Sequence, residues 1–198
     1  MGIAALMEFN NKRGRTVILK QLESLPEQPG NFRPMLNNVK SLGETQFVLA
    51  CSTNILENVL KQLQQVGMMT EIYSYVITSL DFQTIDVEPF QYGGTNITGI
   101  RMINPDLTEV KRISMAVQDN GDPHKLEIET ALLMDAVQIF YETVYDLTVD
   151  RMMTVKAHPL NCKTADNWMY GNSIINLMKS KSTLGLTGLI KFDHEGFR

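Results

Sequence analysis

A strand–helix–strand pattern between residues 47 and 79 constrains the fold of this chain more than any other sequence feature. Residues 47–51 form a continuous apolar run bounded by polar residues, which is typical of a buried parallel strand. Apolar residues then repeat at helical spacing from Asn54, a predicted N-cap with Glu57 three residues on, to Gly67, a predicted left-handed C-cap. Residues 72–79, rich in Tyr, Val and Ile, predict the next strand. Because parallel strands require a crossover connection, the pattern predicts an α/β sheet with right-handed crossovers.

Hydrophobic periodicity and turn residues predict the other elements. We expect further strands over residues 16–22, 99–103 and 186–192, helices over 3–10, 32–39, 106–117, 127–147 and 166–179, and a loop over 81–97. The helix over 127–147 is apolar on most of its circumference, and such a helix is usually buried in a large core. This chain supplies few elements to surround it. We therefore expect part of the domain to lie outside this sequence, and we expect the isolated chain to expose a large apolar patch and to aggregate or form a loose oligomer.

Charge and hydropathy argue against nucleic-acid and membrane-spanning roles. The chain carries 18 Lys and Arg against 22 Asp and Glu, a formal net charge of −4, and no basic cluster that would grip a phosphate backbone. No apolar run approaches the roughly 18–20 residues that span a bilayer. Residues 1–6 lack the basic start and long apolar stretch of a signal peptide, and Leu6 breaks the myristoylation motif.

The sequence also argues against an enzyme. It contains no phosphate-binding glycine loop and no nucleophile elbow. Asp86 and Glu88 lie beside a proline, which favours loop structure over general acid–base work. His124, His158 and His194 stand far apart in polar segments, so they predict neither a metal site nor a cofactor.

Two cysteines and one sequon are the remaining candidates for covalent modification. Cys51 and Cys162 match no metal-ligand spacing, and by themselves they leave the compartment open. Cys51 ends a predicted buried strand, which favours a free structural thiol, although a bridge between the two cysteines stays open. Residues 96–98, Asn-Ile-Thr, form an N-glycosylation sequon in a glycine-rich loop, used only if the chain enters the secretory pathway.

Several strings of residues, taken together, carry a family resemblance. They are GMMTE at 67–71, YSY at 73–75, TSLD at 78–81, DVEP at 86–89, NITG at 96–99, ALLMDAV at 131–137, NC at 161–162, Trp168, Gly171, LMK at 177–179 and GLTG at 185–188. Their order and spacing resemble the amino-terminal domain of kainate-type ionotropic glutamate receptors from about residue 2 to 192. The run from 67 to 99 is specific as a set.

The resemblance implies a fold and a division of the chain. The family's domain is an α/β, type-I periplasmic-binding-protein-like structure with two lobes and a hinge. This chain would hold mostly the second lobe plus part of the first, truncated: residues 1–118 in the second lobe, 119–184 largely in the first, and 185–198 returning to the second. The family's signal peptide and early first-lobe segments have no counterpart here, so by resemblance the chain is about half of one domain.

The resemblance also implies a function and sites. It predicts a non-catalytic extracellular module of a glutamate-gated cation channel at the synapse, which pairs with other glutamate receptor subunits in homo- or heterodimers. It strengthens glycosylation of Asn96 and makes Cys162 a disulfide cysteine whose partner lies outside this chain. It places dimer contacts on the first helix and the next strand, which we carry to Ile3, Leu6, Val17 and Leu19.

Two alternative functions remain. A domain of this fold can close around a small molecule, and such a sensor would show heat and thermal stabilisation when titrated with amino acids. A small cytosolic α/β protein, including an enzyme, would instead be stable, reduced and monomeric, without secretory modification. The covalent modifications of the intact chain and its oligomeric state would distinguish these alternatives from the receptor module.

Overall fold

The computed structural model describes residues 17–24, 27–117, 121–157 and 168–198. Among these residues the helices are α1 (Arg33–Ser41), α2 (Thr53–Gln65), α3 (Thr108–Val117), α4 (Ile128–Tyr145) and α5 (Gly171–Ser180). The strands are β1 (Gln46–Leu49), β2 (Ser74–Ile77), β3 (Asn96–Gly99), β4 (Ser182–Gly185) and β5 (Gly188–Lys191). Short 3-10 turns cover Phe82–Thr84, Glu88–Gly93 and Pro123–Lys125, and a π-helical turn, Asp146–Asp150, extends α4.

The first three strands form a parallel sheet in the order β1–β2–β3. In the register, Gln46 pairs with Ser74, and Ser74 pairs with Asn96 on its other side. Helix α2 connects β1 to β2, so the predicted crossover unit and the α/β class are confirmed.

The predicted strand over 16–22 is wrong for its described part. Residues 17–24 have no regular structure, and Ile18 and Leu19 are more than half exposed. Only Leu22 of this stretch packs against the core of the sheet. An apolar run can form a strand only where a sheet edge accepts it, and sequence periodicity carries no information about that edge. The predicted helix over 3–10 lies outside the described residues.

Helix α2 supplies four buried residues to the core beneath the sheet. Its buried residues Leu56, Val59, Leu60 and Leu63 repeat at helical spacing and pack in one cluster with Tyr75, Ile77 and Phe90. Helix α1 adds Leu36, and the predicted helix over 32–39 is confirmed with a shift of one or two residues.

The sequence predicts the C-terminal end of α2 correctly but not its N-terminal cap. Gly67 has φ +70°, so the left-handed C-cap is confirmed. The N-cap, however, is Ser52 in an extended conformation, not Asn54, which is the second helical residue. Glu57 forms no capping box and instead pairs with Lys61 at 2.6 Å, one turn along the helix.

Strand β3 comes earlier than its sequence predicts. The turn through Gly94, at φ +75°, returns the chain to the sheet at Asn96 rather than at 99. Ile97 then faces the core, whereas Ile103, predicted to end the strand, is buried in a second cluster. Residues 81–97 are therefore two 3-10 turns and the start of a strand, not a loop throughout.

The second cluster joins α3, the turn before α4, and the end of β4. Its buried members are Ile103, Val110, Leu126, Ile128, Ala131 and Leu186. The predicted helix over 106–117 is present as α3, which begins two residues later. Of the predicted helix over 166–179, residues 166 and 167 lie outside the described part, residues 168–170 are not helical, and the rest is present as α5.

The chain ends in an antiparallel hairpin rather than a single strand. Strands β4 and β5 pair in the register Ser182 with Lys191 and Gly185 with Gly188. Leu186 and Thr187, predicted to begin the strand, form the turn between them. Gly188 has φ +99°, a conformation that lets the chain reverse there, and the apolar run in the sequence did not reveal this reversal.

Helix α4 is buried along one stripe only. Ile128, Ala131, Asp135, Ile139 and Thr143 face the rest of the chain. The opposite side carries exposed apolar and aromatic residues, so the predicted apolar patch is confirmed, whereas burial on most of the circumference does not occur here. Among the described elements, α4 contacts mainly α5, β4 and the π-helical turn that follows it, so few elements surround the helix, as the sequence predicts.

Candidate functional site

The glycosylation candidate lies at the edge of the sheet. Asn96 is exposed and opens β3, an outer strand of the three, instead of lying within the predicted glycine-rich loop. Its backbone N–H donates to the Tyr73 carbonyl at 3.3 Å, which fixes the strand. The Thr98 hydroxyl lies 3.4 Å from Asn96 Oδ1, so the two functional side chains of the sequon share the solvent face of β3. An exposed acceptor on an edge strand is sterically accessible to a glycan.

The four predicted dimer contacts are only partly described. Ile3 and Leu6 lie outside the described residues. Val17 is half-buried and Leu19 is 57% exposed, in a segment without strand structure. Leu19 is thus an exposed apolar side chain, and the described part of the segment, which holds Val17 and Leu19, forms no regular element.

The structure describes only one of the two cysteines. Cys162 lies outside the described residues, and so does any bridge from it. Cys51 is a half-buried free thiol that packs against the sheet core, and burial raises its pKa. The structure therefore gives Cys51 the environment of an unreactive structural thiol.

Two buried or partly buried aspartates organise the region around α4, and sequence analysis assigned a role to neither. Asp81, just after β2, accepts a hydrogen bond from the backbone N–H of Ile128 at 2.6 Å. Ile128 is the first residue of α4, whose N-terminal N–H groups have no partner inside the helix. Nearby, Gln83 Nε2 donates to the Leu126 carbonyl at 3.3 Å. Asp81 therefore acts as a long-range cap that fixes the start of α4 to the parallel sheet.

Asp135 holds the hairpin against α4. Its carboxylate is 3% exposed and accepts from Leu186 N at 2.6 Å, Thr187 N at 3.1 Å and Thr187 Oγ1 at 2.5 Å. The Arg198 guanidinium lies 3.6 Å away and supplies a partial countercharge. Gly185 packs so closely on this carboxylate that no Cβ would fit. The signal in the sequence was a single acid inside the apolar string at 131–137.

A polar cluster follows along the C-terminal half of α4. Glu142 accepts from Gln138 Nε2 at 3.0 Å and from Thr183 Oγ1 at 2.7 Å. These two hydrogen bonds, with help from the Lys181 charge, hold the pKa of Glu142 below its usual value despite some burial.

Asp146, at the start of the π-helical turn, pairs with Arg151 at 2.9 Å and with Lys181 at 3.4 Å. The hydrogen bond from Arg151 is the main cause that lowers the pKa of Asp146. Beside these ion pairs, Leu147, Arg151 and Met153 line an open groove of about 400 Å³. Residues Ser173, Asn176, Leu177 and Ser180 of α5 form its other side.

The other residues considered for catalysis or metal binding are an acid pair within one loop and the histidines. Asp86 Oδ1 accepts from the backbone N–H of Glu88 at 3.0 Å, which is the loop-stabilising role that their position predicts. His124 and His194 are exposed, and His158 lies outside the described residues. Within the described ranges, no three His, Cys, Asp or Glu residues are placed to hold a metal ion. None of the helices described there has the length and apolarity to cross a bilayer.

Comparison with known proteins gives one family. The model of the receptor family ligand binding region matches residues 2–198. A mouse protein, glutamate receptor ionotropic, kainate 1, is 30% identical over 199 residues, which cover 97% of this chain and 24% of that protein. The human protein of the same name is 29% identical over 198 residues, covering 97% of this chain and 22% of that protein.

The chain thus spans about a quarter of the length of the curated relatives it matches. The match extends along nearly all of it, and the resemblance to the kainate-type amino-terminal domain is confirmed. The parallel three-stranded sheet with its helical crossover agrees with the α/β, type-I periplasmic-binding-protein-like fold of the family. This chain belongs to the protein family described as the receptor family ligand binding region.

Proposed function

We propose that the chain is a fragment of the extracellular amino-terminal domain of a kainate-type glutamate receptor subunit, where it acts as a non-catalytic module for subunit pairing and assembly. The observation that carries the proposal is the similarity to kainate receptor subunits over 97% of the chain.

In the proposed arrangement, residues 1–118 belong to the second lobe, 119–184 largely to the first, and 185–198 return to the second. The bond from Ile128 to Asp81 then connects segments of the two lobes, and so do the bonds that Leu186 and Thr187 make to Asp135. These contacts support a short, stiff connection between the lobes instead of a free linker.

Peptide mass spectrometry of the native protein tests the extracellular assignment. We expect a glycan on Asn96, and Cys162 joined to a peptide that is not part of this sequence. A bare Asn96 together with a free Cys162 would instead mean a reduced, non-secretory product, and the receptor role would be abandoned.

Sedimentation of the longer receptor domain tests the assembly role. Leu6→Arg and Leu19→Arg place a charge on the proposed contact surface, and we expect each to weaken the dimer by tenfold or more, roughly the effect of losing 1.4 kcal/mol. Leu107→Arg is the matched control, since Leu107 is also a partly exposed leucine but lies before α3. Equal dimer constants for all three variants and the parent would remove these residues from the interface.

The description of the family as a ligand binding region favours a second candidate, a sensor that binds a small molecule. Calorimetric titration with amino acids separates the two candidates. Saturable heat with a matching rise in melting temperature would favour the sensor.

A further inference from the structure

Two carboxylates lie where the chain passes from the parallel sheet to α4 and where it returns through the hairpin. Asp81, just after β2, accepts a hydrogen bond from the backbone N–H of Ile128 at the start of α4. Asp135, about two turns along α4, accepts from the backbone N–H groups of Leu186 and Thr187 in the turn of the hairpin. Each passage of the chain is therefore tied by an aspartate that belongs to the segment on the other side.

The surroundings of the second passage exclude water. Asp135, Leu186 and Thr187 are all buried. Apolar residues of α3, of α4 and of the hairpin turn pack around them in the second cluster, whose buried members are Ile103, Val110, Leu126, Ile128, Ala131 and Leu186. A movement that separates the hairpin from α4 would leave buried N–H groups without an acceptor, and water could not replace the carboxylate at low cost.

More than one hydrogen bond fixes each passage, so neither can pivot about a single contact. Before α4, Gln83 Nε2 donates to the Leu126 carbonyl at 3.3 Å, two residues from the bond at Ile128. In the hairpin, the Thr187 hydroxyl adds a third hydrogen bond to Asp135 at 2.5 Å. Domain closure depends on a few residues at the passages whose φ and ψ can change freely. These hydrogen bonds restrict the residues that would have to change.

We propose that Asp81 and Asp135 are the two halves of a clamp that holds the sheet and α4 in one relative orientation, so that the protein acts as a rigid body and does not close around a ligand. We call Asp81, Gln83, Asp135 and Thr187 the interlobe clamp. The proposal rests on the division into two lobes given above and adds the residues that fix the angle between them. A rigid body suits an assembly module, because a preorganised surface loses less conformational freedom when subunits pair.

Spin-label distances across the clamp test it. In the native-length protein, with its unbridged cysteines changed to alanine, labels at Glu44→Cys and Asn172→Cys report on the sheet and on α5, and both positions are exposed. We expect one narrow distance distribution in the parent. Asp81→Ala and Asp135→Asn should each broaden that distribution about twofold or more, because each change weakens the attachment of one passage.

Two controls separate loss of the clamp from general loosening of the fold. A label pair on one side of the clamp, Glu44→Cys with Lys111→Cys, should keep its distribution width in every variant. Asp86→Ala is the matched control for Asp81→Ala, since Asp86 lies in the same connection between β2 and β3 but accepts from the nearby backbone N–H of Glu88. It should leave both distributions unchanged.

Three results would overturn the clamp. The first is a distribution across the clamp that is already broad in the parent. The second is an unchanged width in Asp81→Ala and in the milder Gln83→Ala, with circular dichroism like that of the parent. The third is a shift of the parent's mean distance when a mixture of amino acids is added, because that shift would show the lobes closing. A bare Asn96 would remove the receptor assignment without altering these distances, so the two proposals fail separately.

Discussion

Removing the Asp135 carboxylate should destabilise the fold by leaving buried hydrogen-bond donors of the hairpin without an acceptor. Asp135→Ala leaves three donors without their acceptor: the N–H groups of Leu186 and Thr187 and the Thr187 hydroxyl. A buried hydrogen bond to a charged group contributes about 1.5–3 kcal/mol, and a donor left unsatisfied costs about 1–3 kcal/mol. Because the hairpin turn can relax towards water, the costs will not add fully, and we expect a loss of about 3–5 kcal/mol.

Urea unfolding followed by circular dichroism measures this loss as a shift in midpoint at constant slope. Asp135→Asn keeps the shape and one acceptor oxygen but turns an amide towards the donors of Thr187, so its cost should be intermediate, about 1–3 kcal/mol. Glu129→Ala, an exposed acid on the same helix, should change stability by no more than about 0.5 kcal/mol.

Hydrogen exchange locates the effect. The amides of Leu186 and Thr187 should lose protection in Asp135→Ala before the amides of the parallel sheet do. If Asp135→Ala unfolds within about 0.5 kcal/mol of the parent, the carboxylate does not hold the hairpin, and the role assigned to it here is wrong.

Three further predictions concern the neighbours of this contact. Asp81→Ala removes the acceptor for the N–H of Ile128 and should cost about 1 kcal/mol in urea unfolding, with Asp81→Asn closer to the parent; equal costs would argue against a capping role. Gly185→Ala places a methyl group against the buried carboxylate of α4 and should cost about 1–3 kcal/mol, so a neutral substitution would show that the hairpin can move away. The pKa of Glu142 is lower in the folded than in the unfolded state, so its ionised form stabilises the fold. This stabilisation is fully present above the unfolded-state pKa, and it is lost as the pH falls through the folded-state pKa. Thr183→Val removes one of its donors, so the carboxyl titration followed by NMR should move to higher pH, and an unmoved titration would exclude this hydrogen bond as a cause.

The strand–helix–strand unit could be predicted because local and tertiary preferences agree there. The apolar run before α2, the stripe through Leu56 and Leu63, and the terminal Gly67 each favour the element that forms. The N-cap was misplaced by two positions because Ser52 and Asn54 are both acceptable cap residues. Only the backbone conformation of Ser52 decides between them.

The errors occurred where an element depends on a distant partner. Residues 17–22 and 100–103 contain apolar residues that suit a strand, yet neither stretch pairs with the described sheet. The last strand was predicted without its hairpin partner because Ser182–Gly185 is short and its pairing depends on the turn at Leu186 and Thr187. Strand pairing is a long-range interaction, and periodicity over a few residues cannot specify it.

The candidate sites divide in the same way. The sequon at Asn96 and the isolation of the histidines follow from residue order alone, whereas the exposure of Asn96 on an edge strand follows only from the sheet order. Asp81 and Asp135 occur in strings that carry the family resemblance, but their partners lie 47 and 51 residues away along the chain. No local pattern predicts a hydrogen bond over such a separation.

The sequence by itself determined the α/β class, the crossover helix, the apolar character of the long helix and the family resemblance, because each depends on residue order and short-range periodicity. Only the tertiary structure decided which stripe of α4 is buried, which strands pair and which carboxylates are enclosed. These properties depend on segments far apart in the chain meeting in space. Packing and desolvation depend on the contacts between those segments, and the sequence of either segment alone does not specify them.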